Sequence, residues 1–251
     1  MTEKNQIIFG YHAIIEAFKA GKTLDKILLS QKAARNELLD KILVLAKAHE
    51  VWIQRVPEVK IEKEARGQNH QGIVAYLSEI RYANLESLIT QTFEQGKNPL
   101  IVILDGVTDV HNFGAIARAT YCAGADGLVI PTQNSAKINS VAIKTSAGAL
   151  MHLPVCKEKS LKSTLNYLKE CGLQIVACTE KGTTNLYDTD FTLPTGIVMG
   201  SEGRGIQDAL LKLSDMQVKI YMYGKLSSLN VSVATGIVLY EAVRQREFKS
   251  T

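Results

Sequence analysis

Apolar residues recur along the chain in two rhythms. In one, nearly every position of a short run is apolar; in the other, apolar residues fall three or four apart. The first predicts buried strands and the second helices. Residues 7–9 read as extended, and residues 11–19 as a helix ended by Gly21. Strands are expected at 26–29, 51–56 and 73–77, with Trp52, the single tryptophan, as a core residue of the second. Between the first two, Leu38, Leu39, Ile42, Leu45 and Ala46 give residues 36–48 helical spacing. Pro57 suits the first turn of a further helix, where a missing N–H costs nothing. A polar loop over 66–72, Arg-Gly-Gln-Asn-His-Gln-Gly, precedes the third strand. Together these elements make a small α/β unit over residues 1–78.

Residues 79–98 contain a helix-like stretch and end in the breaker cluster Gly96-Lys-Asn-Pro99. A second series then begins. Strands are predicted at 100–104, 127–130, 174–178, 197–199 and 217–220, and helices at 114–123, 140–147, 161–170 and 231–246. Apolar strands alternating with helices indicate a mostly parallel sheet covered on both faces. The expected organisation is a small N-terminal α/β domain (1–78), a linker with a first helix (79–98), and a C-terminal α/β domain (99–251). The last helix is apolar over a wide arc, Val233, Ala234, Ile237, Val238, Ala242 and Val243, so it packs against the sheet or against a second subunit.

Composition narrows the class a little. The 251 residues are 46% hydrophobic, enough for a full core, and the net charge of +4 mildly favours a polyanionic partner. No apolar run approaches the roughly 20 residues of a membrane span, and the N-terminus lacks a signal-peptide pattern. The four cysteines, Cys122, Cys156, Cys171 and Cys178, have no metal-ligand spacing and read as reduced thiols of a cytoplasmic protein. The five histidines show no metal-ligand spacing either, so no metal is expected.

Three loops in the C-terminal domain carry the candidate chemistry. The first runs from Asp105 to Arg118 (DGVTDVHNFGAIAR), the second from Gly200 to Gly205 (GSEGRG), and the third from Leu226 to Asn230 (LSSLN). The first two follow apolar strands, and loops at the carboxyl ends of parallel strands line ligand crevices. Asn112 offers both a donor and an acceptor, and Arg118 a fork of five donors, which suits a phosphate or ribose; the same pair also suits a helix cap and a solvated charge. Glu202 stands among three glycines that permit close backbone approach. Ser228 and Asn230 precede the last helix and suit its N-cap. There is no Walker A sequence and no G-x-G-x-x-G opening a helix, so a nucleotide-like ligand must be held in another way.

Taken in order, the three motifs resemble the SpoU family of RNA ribose 2′-O-methyltransferases over about residues 83–250. Residues 9–18 (FGYHAIIEAF) and 67–75 (GQNHQGIVA) look like the substrate-binding domain of bacterial enzymes that methylate a guanosine ribose in 23S ribosomal RNA. That domain is similar to small ribosomal proteins that bind RNA kinks. The resemblance implies a trefoil knot of the SPOUT type in the C-terminal domain, S-adenosylmethionine as cofactor, and a homodimer through that domain. Cofactor contacts then fall on Gly200, Ile220, Met222, Ser228 and Leu229. Catalytic roles fall on Asn112, Arg118, Glu202, Ser228 and Asn230. In the N-terminal loop, Arg66, Asn69 and His70 carry groups able to contact phosphates and unpaired bases of large-subunit ribosomal RNA. Two positions depart from the family pattern, Val110 and Tyr221, where proline is usual.

The reaction so implied is methyl transfer to a ribose 2′-oxygen. The family's arginine, matching Arg118, is often proposed as the base. A guanidinium is always protonated, so its expected role is to hold phosphate and stabilise charge on the 2′-oxygen. Asn112 is expected to orient Arg118 or the ribose, Glu202 to hold the loop and Arg118, and Ser228 and Asn230 to shape the cofactor–ribose junction. A tRNA ribose methyltransferase shares these motifs, and a non-catalytic RNA-binding protein on the same fold is a rival of another class.

Overall fold

The computed structural model describes residues 7–49 and 51–248, in two compact units divided after Arg81. In the first unit, β1 (Ile7–Phe9), β2 (Leu24–Ser30), β3 (Trp52–Val56) and β4 (Ile73–Leu77) form a sheet of order β1-β4-β2-β3. β2 and β3 are parallel, and β4 runs antiparallel to both its neighbours. Side chains alternate across the sheet with the strand period of two. Ile27, Leu29, Ile73 and Ala75 pack with α1 (Tyr11–Lys19) and α2 (Glu37–Ala48). Leu28, Val74 and Tyr76 face the other way, onto Ile61 of α3 (Glu58–Ala65). Asn36 caps α2 by accepting from Leu39 N, and Pro57 stands at the N-cap of α3. Because β3 is an edge strand, Trp52 is only half-buried, not the core residue expected.

In the second unit seven strands are all parallel: β5 (Leu100–Asp105), β6 (Gly127–Pro131), β7 (Val155–Glu158), β8 (Gln174–Cys178), β9 (Thr184–Asn185), β10 (Thr195–Gly200) and β11 (Met216–Lys219). Their order is β7-β6-β5-β10-β8-β11-β9. One face carries α4 (Leu85–Glu94), α7 (Leu161–Glu170) and α8 (Asp208–Leu211), whose leucines and isoleucines meet Ile101, Ile103, Ile175 and Val198. α5 (Val110–Cys122) packs against α6 (Ser140–Thr145) and α9 (Val231–Glu247). β10 pairs with β5 on one side and β8 on the other, in a register that sets Gly200 opposite Asp105 and Met199 opposite Cys178. Three strand ends are therefore flush, and the segments leaving them emerge side by side.

Several boundaries differ from expectation for local reasons. β7 was hidden because only Val155 and Cys156 of its four residues are apolar, and β9 because both its residues are polar. α8 has four residues, too few for a periodicity. α5 begins at Val110 rather than Gly114, because Asp109 caps it by accepting from Asn112 N at 2.7 Å. Asn112 therefore lies in the first turn and is not the cap. On α9 the apolar arc divides: Val238 and Ala242 are buried within the unit, whereas Val233 is 51% exposed. Glu241 is buried on the same helix, and a bidentate pair with Arg244 at 2.9 and 2.7 Å satisfies its carboxylate. No helix among the described residues is long and apolar enough to cross a membrane.

Candidate active site

The end of β5 is tied to the segment that follows the second loop, at the N-cap of α8. Asp105, buried at the end of β5, accepts from Gln207 N at 2.7 Å and from Gln207 Nε2 at 2.6 Å. The second loop, which leads from β10 to Gln207, is a tight reversal, in which Ser201 and Gly205 exchange backbone hydrogen bonds of 3.2 and 2.9 Å. Gly200 must be glycine: a Cβ there would stand 2.5 Å from Ile206 N and closer still to the Gly205 carbonyl carbon. Gly205 closes the turn at φ +68°, a conformation that side chains with a Cβ disfavour.

Asn230 joins all three loops. Its Oδ1 caps α9, accepting from Ser232 N at 3.0 Å, Ser232 Oγ at 2.6 Å and Val233 N at 3.4 Å. Its Nδ2 donates to Asn112 Oδ1 at 2.9 Å and to Glu202 Oε1 at 2.6 Å. The amide thus uses its acceptor for local helix chemistry and its two donor hydrogens for tertiary contacts.

Beside this junction lies a cavity of about 630 Å³. The expected cofactor residues Gly200, Ile220, Met222, Ser228 and Leu229 all line it, as do Glu202 and Asn230. The wall mixes apolar side chains such as Met199 and Val231 with the hydroxyl residues Thr179, Ser201 and Ser227. It carries two carboxylates, Glu180 and Glu202, and no lysine or arginine. Such a lining disfavours a phosphate-bearing ligand and accepts a cationic or zwitterionic one, because like charge at close range costs free energy. The motifs did not single out Cys178, Thr179 and Glu180. Their signal was present, a polar segment directly after the apolar run of β8, but only the pairing of β8 with β10 makes that strand end part of the site. Burial, then the charge of Glu180, pushes the Cys178 thiol up to about 12, so it stays protonated at neutral pH and is no nucleophile.

Arg118 stands apart. It is exposed on α5, six residues beyond Asn112, and has no hydrogen bond to the other site residues among those described. Asn112 and Glu202 both contact Asn230, because the N-cap of α9 lies between the first two loops. Val110 is the first residue of α5, a position proline also suits, so the helix start survives the exchange. Tyr221 is exposed, with Lys219 Nζ 5.1 Å from its ring centre. In the first unit, Asn69 and His70 line a separate cavity of about 560 Å³, and Arg66, in the left-handed conformation at φ +48°, ends α3 nearby in the chain. The described residues contain no cluster of three or more His, Cys, Asp or Glu able to hold a metal.

Known proteins resemble this chain in both sequence and fold. Residues 99–240 match the model of the SpoU rRNA Methylase family, and residues 7–83 match that of RNA 2′-O ribose methyltransferase substrate binding. The 23S rRNA (guanosine-2′-O-)-methyltransferase of Photobacterium profundum is 38% identical over 97% of this chain and 99% of its own. A Bacillus subtilis protein, 33% identical over 98% of both chains, bears a TrmH-family name that spans tRNA and rRNA methyltransferases. Among solved structures, the SpoU methyltransferase AviRb of Streptomyces viridochromogenes, in complex with AdoMet, is 25% identical with a TM-score of 0.61, covering 96% of this chain and 90% of that one.

Proposed function

The chain belongs to the SpoU rRNA methylase family, and on that premise we propose that it methylates the ribose 2′-oxygen of a guanosine in 23S ribosomal RNA, using S-adenosylmethionine. The coarser statement, an S-adenosylmethionine-dependent RNA 2′-O-methyltransferase, follows from membership in the family. The finer one is supported by the Photobacterium relative and by the match of residues 7–83 to a substrate-binding module. The tRNA reading keeps its place because relatives such as the Bacillus protein bear names that span both RNAs.

One observation carries the proposal: a cavity with carboxylates and no basic residue adjoins an amide that joins three loops. A sulfonium cofactor suits that lining, whereas a dinucleotide does not. Gly200, Ile220, Met222, Ser228 and Leu229 would hold it, and Glu180 and Glu202 would complement its positive charge. The cofactor supplies an already activated methyl group, so the protein's task is orientation and charge. Asn112, fixed by Asn230, presents its remaining amide hydrogens toward the ribose. Glu202 anchors the second loop through Asn230. Arg118 is free to close on the RNA phosphate and to stabilise charge on the 2′-oxygen once substrate is present.

The same proposal makes the protein a homodimer through the second unit. Exposed Val233 and Tyr240 on α9 and Tyr121 on α5 leave apolar surface on two helices that pack together. The trefoil knot implied by the resemblance is carried, in this proposal, by the segments around β10 and α9. The deciding experiment maps ribose methylation in RNA from cells with and without the gene. A 2′-O-methylguanosine of 23S rRNA should vanish with the gene; loss of a tRNA mark instead would select the alternative. Calorimetry should show S-adenosylmethionine binding unchanged by chelator.

A further inference from the structure

The cavity of the first unit contains a group that general affinity for RNA does not explain. Its wall includes Ser30, Lys32, Glu58, Asn69, His70 and Gly72. Ser30 is buried, and its hydroxyl donates to Glu58 Oε2 at 2.7 Å while accepting from Lys32 N at 3.1 Å. The Glu58 carboxylate is therefore held in one place. A fixed negative charge in a pocket meant only for phosphates would repel them.

A carboxylate in an RNA-binding pocket is useful when it reads a base, because each oxygen keeps lone pairs free to accept N–H donors. The base edge with two adjacent donors is that of guanine, N1–H beside the 2-amino group. Adenine and cytosine set one amino donor beside an acceptor, and uracil sets one N–H between two acceptors. The rest of the pocket agrees with such a ligand. His70 Nδ1 accepts from Gly72 N at 3.0 Å, so in the neutral ring Nε2 bears the proton and is the donor available to a base oxygen or nitrogen. Lys32 is exposed and suits the adjoining phosphate. The loop that builds this wall holds a non-glycine residue in the left-handed region away from any helix end, Gln71 at φ +49°. Conformations of this kind cost free energy and cluster at ligand sites. The volume of about 560 Å³ admits a whole base.

We propose that this pocket takes one unpaired guanine of the RNA, with Glu58 accepting from its N1–H and 2-amino group. The guanine so held is a recognition base, separate from the methylated ribose, and the inference rests on the RNA-methyltransferase reading above. It is tested on the full-length protein with the RNA pentamers UUGUU, UUIUU and UUUUU, where inosine lacks only the 2-amino group. UUGUU should bind roughly tenfold or more tightly than the other two, the usual discrimination of a bidentate base contact. Glu58→Gln, which keeps an acceptor for Ser30, should bring the three affinities together while leaving S-adenosylmethionine binding unchanged. Equal affinities in the unaltered protein, no measurable binding of UUGUU, or a guanine preference that survives Glu58→Gln would each overturn the proposal. Methyl transfer to ribosomal RNA is measured on the same samples. Activity without guanine preference rejects the pocket alone, and guanine preference without activity rejects the enzymatic reading alone.

Discussion

Asn230 and Glu202, 28 residues apart, are joined by a 2.6 Å hydrogen bond from Asn230 Nδ2 to Glu202 Oε1. The same nitrogen reaches Asn112 Oδ1 at 2.9 Å, while Oδ1 caps α9. Asn230→Asp separates these two duties, since aspartate caps as well as asparagine but loses the donors and sets a second carboxylate against Glu202. The expected result is a melting temperature lowered by that repulsion although the α9 cap is kept, and methyl transfer reduced by about 10–100-fold, the value of one or two such hydrogen bonds. Asn230→Ala should lose activity and also about 1 kcal/mol of stability. Equal activity in Asn230→Asp and the unaltered protein would remove the junction from the mechanism.

Gly200→Ala should abolish S-adenosylmethionine binding in calorimetry. The added Cβ meets the backbone at Gly205 and Ile206, which cannot yield without opening the second loop. The neighbouring Gly203, whose added Cβ would have nothing within 4 Å, provides the contrast. Gly203→Ala suffers only the strain of φ +86° and should bind the cofactor more nearly normally.

Arg118→Ala should lower methyl transfer by roughly 10²–10³-fold, the usual cost of removing a charge-stabilising donor. Cofactor affinity should hardly change, because Arg118 is absent from the cavity wall. Turnover near the unaltered rate would mean that another group stabilises the 2′-oxygen.

Light scattering at micromolar concentration should give the mass of a dimer, twice 27.6 kDa. Tyr240→Glu is a suitable disrupting variant, since Tyr240 is 55% exposed and its charge need not enter the core. A monomer before any substitution would count against the dimer.

Removing residues 1–81 should leave a folded unit that binds S-adenosylmethionine, because the seven-stranded sheet and its helices belong wholly to the second unit. Methyl incorporation into ribosomal RNA should fall sharply with the loss of the pocket around His70. Full RNA activity in the truncated protein would contradict the recognition role given to the first unit.

The alternation of strands and helices was legible without coordinates, because burial on both faces demands runs such as 100–104 and 174–178. The three loops were visible as candidates, the first two because they leave the ends of apolar strands, but Asn112, Arg118 and Asn230 suited helix caps or solvated charge equally well. The length of α5 was misread because its cap is Asp109, and the apolar pattern begins later than the hydrogen-bonded helix does. Short polar elements such as β9 carry no periodicity to read. What only the tertiary structure decided was adjacency. Strand order is set by long-range packing, and insertion of β10 between β5 and β8 brings Asp105, Gly200 and Cys178 to one edge. The same packing turns Asn230 from an ordinary helix cap into the amide shared by Asn112 and Glu202. Local sequence determines what a residue can donate or accept; the fold alone determines to whom.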